Sequence, residues 1–307
     1  MFAVLGAGGA IGDELVRQLA ERRQPFRLVS RSAHAHQGAT EVMHLDLADK
    51  DQAVLAVKGT SIAFLLVGLK YDHKVWEAVW PKIMTNAIEA CKRSGTKLVF
   101  FDNVYMYGRV KGVMTEVSPF QPCSRKGEIR AGIAEQLINE WKAGTLTAMI
   151  ARSADFYGPY AKNGIPNGLV FDPLSRRKTA SCLVNDSMPH SYTYTPDAAK
   201  ALMTLVENDA AWNQTWHLPT AGNPLTGREF IERAAEALQV KPKYRVLSRP
   251  TIKVVGWFNP VVREVYEMLY QNDSPYLFSS SKFTGVFGYS ATPYEEGIQE
   301  TAASYRD

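Results

Sequence analysis

The sequence predicts an α/β fold built on a doubly wound parallel sheet, and three observations carry the prediction. The chain opens on an apolar run, residues 2–5, followed by glycines at 6, 8, 9 and 12 and by Ile11, Leu15, Val16 and Leu19 at helical spacing. Apolar runs then alternate with amphipathic, helix-length segments as far as Ala151. One of these runs, Ile-Ala-Phe-Leu-Leu-Val at 62–67, is apolar without a break, as suits a central parallel strand covered on both faces. Strands and helices in this alternation make βαβ units with right-handed crossovers.

The elements follow in order. A second strand is expected at 26–29 and a third at 42–45, each closed by polar residues, Ser30-Arg31-Ser32 and Asp46. A helix at 51–58 stops at Gly59. A long helix at 71–93 presents Val75, Trp76, Val79, Ile83 and Ala87 near helical spacing and ends at Gly95, with Pro81 expected to bend or restart it. Strand 98–101, helix 125–142 (Ile129, Ile133, Leu137, Ile138 and Trp141 on one face) and strand 146–151 complete the alternation. From Gly158 prolines and glycines break the rhythm, while a helix at 197–207 and a strand at 215–218 look like returns to the sheet. Thr226-Gly-Arg-Glu229 is a capping box opening a helix to Leu238. The expected organisation is a dinucleotide-binding domain over 1–158, returning at about 190–220, with 159–189 and 221–307 as a small interleaved C-terminal substrate domain over the carboxyl ends of the strands.

Composition narrows the function. The chain has 307 residues, 46% hydrophobic and 21% charged, which fits an ordinary globular protein with a sizeable core. The net charge of +4 is small, and the longest basic block is Arg176-Arg177-Lys178, so nucleic acid and membrane surfaces are not expected partners. Cys91, Cys123 and Cys182 are far apart, odd in number and without metal spacing, which fits reduced thiols in a cytoplasm and no metal site. A strand beginning at residue 2 leaves no room for a signal peptide, and no apolar run approaches membrane-spanning length.

The strand–glycine turn–helix context gives the opening its chemistry. Gly6 allows the tight turn, Gly9 lets backbone approach a pyrophosphate and Gly12 lets the helix pack close to the strand; Gly8, Ala10 and Ile11 complete the loop. The residue ending the second strand meets the adenosine ribose, and a carboxylate there selects NAD. Here the positions are Ser30 and Arg31, and Arg31 can pair with a 2′-phosphate, so NADP(H) is favoured over NAD(H). Asp46 and Leu47 are expected at the adenine, and Val67, Gly68 and Leu69 along the nicotinamide side.

With these motifs on the page the sequence resembles the extended short-chain dehydrogenase/reductase family, the NAD-dependent epimerase/dehydratase type. The resemblance runs nearly end to end, through Gly6-x-x-Gly9-x-x-Gly12, Asn86-Ala-Ile-Glu-Ala, Tyr105-Met-Tyr-Gly108, Arg152-Ser-Ala-Asp-Phe-Tyr-Gly158-Pro159 and Tyr192-Thr-Tyr-Thr-Pro-Asp197-Ala-Ala. It implies a Rossmann fold, a nicotinamide dinucleotide and a Ser/Thr, Tyr, Lys catalytic set. That set is substituted: Asn103 falls at the Ser/Thr, Lys126 at the Tyr and Arg130 at the Lys.

Three readings follow. The first is an enzyme with rewired acid/base chemistry. Lys126 and Arg130 lie one helical turn apart, and the Arg can lower Lys126 toward use as a general acid; Tyr105, Tyr107 or Tyr157 can supply a phenol instead. The second is an NADP(H)-binding sensor or regulator without turnover. In the third, Lys126 and Arg130 hold an anionic substrate or the cofactor phosphate. Asp102, Asp155, Phe156, Tyr157 and Tyr71 are the substrate-side candidates, while His190 and His217 read as structural. The aromatic C-terminal stretch favours an apolar or aromatic carbonyl or alcohol compound over a nucleotide sugar. By resemblance, the helices at 71–93 and 125–142 would pair two copies into a homodimer, with Trp76 and Trp80 either at that interface or under the sheet.

Overall fold

The computed structural model describes residues 1–32 and 38–306. Its centre is a seven-stranded, wholly parallel sheet. The strands are β1 (Phe2–Leu5), β2 (Phe26–Val29), β3 (Glu41–Met43), β4 (Ile62–Leu65), β5 (Lys97–Asp102), β6 (Ala148–Arg152) and β7 (Thr215–His217). Their order is β7-β6-β5-β4-β1-β2-β3. The direction of winding reverses between β1 and β4, which opens a crevice at their carboxyl ends. Register aligns Leu5 with Val29 on one side and with Leu65 on the other. The loops starting at Gly6, Ser30 and Leu66 therefore emerge at one edge.

Helices cover both faces, as the unbroken apolar strands require. Helices α1 (Ala10–Glu21) and α5 (Thr195–Val206) pack on one face through Ile11, Leu15, Leu19, Leu202 and Leu205. On the other lie α2 (Lys50–Val57), α3 (His73–Ser94) and α4 (Arg125–Lys142), with Ile83, Met84, Ile88, Ile133 and Leu137 buried between them and the sheet. Side-chain caps fix three starts: Asp49 accepts from Gln52 N, Asp72 from Lys74 N and Ser124 from Gly127 N. The Asp72 cap explains why α3 starts two residues later than its apolar pattern suggested. Pro81 neither breaks nor restarts α3, which runs through it as one helix. The Thr226–Glu229 capping box forms with both of its hydrogen bonds.

Trp76 and Trp80 are 6% and 2% exposed and belong to the core under the sheet, so the interface role open to them in the sequence falls away. A separate apolar cluster gathers Phe171, Leu225, Phe230, Ile231 and Ile298, all from the chain beyond Gly158 except for the Tyr157 ring. No described helix is long and apolar enough to cross a membrane.

Candidate active site

The crevice holds two adjoining cavities that share Gly9, Val67, Gly68, Leu69 and Asn163. One, of 330 Å³, runs from the glycine loop past Ser30, Arg31, Asp46 and Leu47. The other, of 240 Å³, continues past Gly12, Tyr71, Asn103, Tyr105, Arg130, Asp155 and Phe156. A wider cavity of 970 Å³ lies elsewhere, among Thr220, Ser279 and Tyr294, and includes none of the glycine loop.

The first cavity is shaped by backbone. Gly6 has φ +94°, and a Cβ there would lie 2.6 Å from Val67 Cα, so the turn admits only glycine. A Cβ at Gly8 or Gly9 would meet nothing within 4 Å, which leaves room for phosphate beside the chain. Gly12 is less constrained than its place in the motif implies, because a Cβ there would make ordinary contact at 3.7 Å with Gly6 O. Helix α1 has glycine as its N-cap and no side-chain cap, so its first N–H groups are left for an anion. At the far end Asp46 Oδ1 accepts from Ala48 N. Arg31 is exposed and has no ion pair among the described residues.

The second cavity is shaped by side chains. The 3₁₀ turn Tyr105–Tyr107 follows β5, and Asn103 Oδ1 caps it by accepting from Tyr105 N at 3.0 Å. Gly127 lets α4 close on this turn, since a Cβ there would be 2.7 Å from Tyr105 O. The Tyr105 and Tyr71 hydroxyls stand 3.5 Å apart. Burial raises Tyr105 above the usual phenol range, and the Asp155 carboxylate adds to the rise, while Tyr71 and the Arg130 cation oppose it. Burial, then Tyr105, raises Tyr71 well above that range as well. Both phenols are therefore protonated near neutrality and are donors rather than bases. Asp155 Oδ2 lies 3.0 Å from His190 Nε2, and the imidazole is stacked between Tyr192 and Tyr276 with centroids 4.6 and 4.2 Å away.

Of the expected site residues, Lys126, Tyr107 and Tyr157 line neither cavity, whereas Asp102 lines the second. Lys126 is fully buried, and its three donors are taken by Glu264 O at 3.1 Å, Glu264 Oε2 at 2.6 Å and Glu267 Oε1 at 2.7 Å. Its ammonium sits 4.6 Å from the Tyr71 ring centroid, behind the cleft wall. With every donor occupied it has none to offer a ligand. Burial alone would raise the Glu264 carboxyl, but hydrogen bonds from Lys126 and His73 outweigh it and hold the group at about 2. Arg125 Nη1 lies 3.0 Å from His73 Nε2. Since an arginine only donates, that nitrogen accepts and His73 Nδ1–H donates to Glu264 at 2.8 Å.

Asp102 is 0% exposed and carries two arginines. Arg130 Nε donates to Oδ1 at 2.7 Å and Arg152 Nε to Oδ2 at 3.3 Å. Its carboxylate thus fixes the Arg130 guanidinium, which lies 4.5 Å from the Trp80 ring centroid. The network runs on from Arg152 Nη1 to Tyr107 Oη at 2.8 Å, then to His217 Nε2 at 2.9 Å, with His217 Nδ1 donating to Ser279 O at 2.8 Å. Burial pushes the His217 imidazole down to about 3, helped by Arg152 and Lys282 and opposed by the Ser279 carbonyl. Arg152 Nη2 is buried with no hydrogen-bond partner among the described residues. Tyr157 packs among Tyr194, Phe230 and Tyr294 and lines neither cavity.

The sequence model of the NAD dependent epimerase/dehydratase family matches residues 2–217. The chain belongs to that family. Its class is therefore that of NAD-dependent enzymes of oxidoreductase type. Solved structures agree on the fold. UDP-glucose 4-epimerase of Thermus thermophilus, in complex with NAD, has a TM-score of 0.79 at 20% identity, covering 100% of this chain and 99% of its own. The dTDP-glucose 4,6-dehydratase of Streptomyces venezuelae, also with NAD bound, gives 0.80 at 18% identity over 99% and 96%. UDP-N-acetylglucosamine 4-epimerase of Bacillus cereus gives 0.78 at 17% identity over 99% and 96%. No curated protein sequence matches the chain.

Sequence reasoning missed several groups of this family member's cleft. Trp76, Trp80, Asn163 and Ile165 line it, and His190 backs Asp155. Arg152 was visible as a cation ending an apolar strand, and such a residue needs a buried counter-charge. Nothing in the spacing announced His190, which reaches Asp155 across 35 residues.

Proposed function

We propose that this protein is a nicotinamide-dinucleotide oxidoreductase acting on a small carbonyl or alcohol compound, with Tyr105 as the proton donor. The observation that carries the proposal is the Tyr105 phenol, in the same cleft as the glycine loop and beside the Arg130 cation. The bound dinucleotide supplies or accepts hydride. In the reducing direction Tyr105 gives its proton to the substrate oxygen as hydride reaches the carbon. Arg130, held by Asp102, steadies the resulting phenolate, the Tyr71 hydroxyl 3.5 Å away donates a hydrogen bond to it, and water entering the cleft restores its proton. The Asn103 amide nitrogen, unused in capping, offers a hydrogen bond to the same oxygen. Asp155 and Phe156 contact the substrate, and Tyr71, Trp76 and Phe156 give its pocket apolar walls. Lys126 acts through Tyr71 as a positioning residue.

Arg31 supports a preference for NADP(H) over NAD(H), since no carboxylate stands at 30–32 to repel a 2′-phosphate. The locked Lys126 favours one alternative, a dinucleotide sensor without turnover. Titration of NADPH and NADH against tryptophan quenching, followed by a carbonyl panel, separates the readings. Saturable binding with turnover that Tyr105→Phe lowers about 10²-fold supports the enzyme; binding without turnover on any carbonyl supports the sensor; no binding of either dinucleotide sinks both.

A further inference from the structure

The small net charge of the chain hides a local excess. Residues 237–263 hold six basic and no acidic side chains, whereas the remainder carries 29 basic against 31 acidic. This stretch ends in a helical hairpin, Arg249–Phe258 and Pro260–Tyr266. Asn259 turns the corner, its Oδ1 accepting from Val261 N and Val262 N. Gly256 lets the helices cross closely, as a Cβ there would lie 3.1 Å from Arg263 Cα. The tip that results is apolar and bare: Trp257 is 69%, Phe258 84% and Val261 57% exposed, with Val254 and Val255 beside them. Lys241, Lys243, Arg245, Lys253 and Arg263 are exposed and enter no ion pair among the described residues; Arg249 alone is paired, with Asp273.

We propose that this hairpin docks the protein on an anionic lipid surface, with Trp257, Phe258 and Val261 inserted at the headgroup–acyl boundary and the surrounding lysines and arginines on lipid phosphates. An exposed aromatic tip with the unpaired cations Lys253 and Arg263 on its own two helices, and more in the segment leading into them, matches an interfacial segment. A protein partner fits less well, because protein interfaces are depleted in lysine. Long basic side chains extend from such a tip to the phosphate level while their stems cover apolar surface. The hairpin has a firm base for this, since Glu264 and Glu267 at its end bind the buried Lys126.

The test is co-sedimentation with vesicles of phosphatidylglycerol and phosphatidylcholine, against vesicles of phosphatidylcholine alone. Binding to the anionic vesicles only is expected, weakening as salt is added. Trp257→Ser with Phe258→Ser, and separately Lys253→Glu with Arg263→Glu, should each lower the bound fraction at least about tenfold. Both pairs are exposed, so dinucleotide affinity and circular dichroism should stay as in the parent chain. No binding to anionic vesicles, equal binding to both vesicle types, or binding indifferent to both double variants would overturn the proposal. So would a dimer in sedimentation that the aromatic double variant dissociates, which would assign the tip to a second copy.

Discussion

The two ends of the cleft are built from different materials. The glycine-loop end is mostly backbone: a left-handed Gly6, open space at Gly8 and Gly9, and the uncapped start of α1. The chemical end is side chain throughout, with Tyr71, Asn103, Tyr105, Arg130 and Asp155 arriving from separate segments. Backbone geometry tolerates few sequences, so that end keeps its motif. Side-chain chemistry can be built from many residue types, so that end carries no comparable motif.

The contrast can be tested by its largest effect first. Lys126→Ala strips the cation from two carboxylates, of which Glu264 is 9% exposed, and should cost about 3–5 kcal/mol in denaturant unfolding. Dinucleotide affinity of the folded fraction should persist; its loss would restore Lys126 to the cofactor end. Tyr105→Phe should lower kcat by about 10²-fold, some 2.7 kcal/mol, with dinucleotide binding unchanged. Undiminished kcat would remove Tyr105 as the donor.

Acid should weaken the fold through His217. Its folded pKa of about 3 lies below the unfolded value of 6.5. Between those values only the unfolded chain takes the proton, so stability is full above 6.5 and falls toward 3 by at most about 1.4 kcal/mol per pH unit from this group. Glu264, held at about 2, adds a loss with the same sign below its ordinary 4.5. Thermal melts of His217→Asn should have a flatter slope between pH 6.5 and 4.5, and an unchanged slope would locate the proton uptake elsewhere. The smallest effect is expected at Arg31. Arg31→Ala should weaken NADPH about tenfold and leave NADH alone; equal changes for both would mean that Arg31 does not read the 2′-phosphate.

Much of the sheet was legible because its elements are local. The 2–5 run, the glycines and the Thr226–Glu229 capping box each act within a few residues of chain. Errors at strand and helix ends were small and traceable, as where Asp72 rather than the apolar pattern sets the start of α3. The site was less legible because its contacts are long-range. Lys126 was read as a neighbour of Arg130 one turn away on α4. The structure pairs it instead with Glu264, 138 residues on, and gives Arg130 to Asp102. Tyr157 was read as a pocket wall from its motif, yet its ring is claimed by Phe230 and Tyr294 from distant segments. Spacing along one helix identifies neighbours but not which of them a remote carboxylate will claim.

The buried Lys126 has a consequence for descent. A tyrosine cannot simply be placed at 126, because a phenol there would leave Glu264 and Glu267 without the Lys126 ammonium. Such a change needs both carboxylates altered as well, and losing both of them first strands the lysine. The position is thereby entrenched: the lysine ties α4 to the segment that carries both carboxylates, and single substitutions at these positions offer no downhill way out.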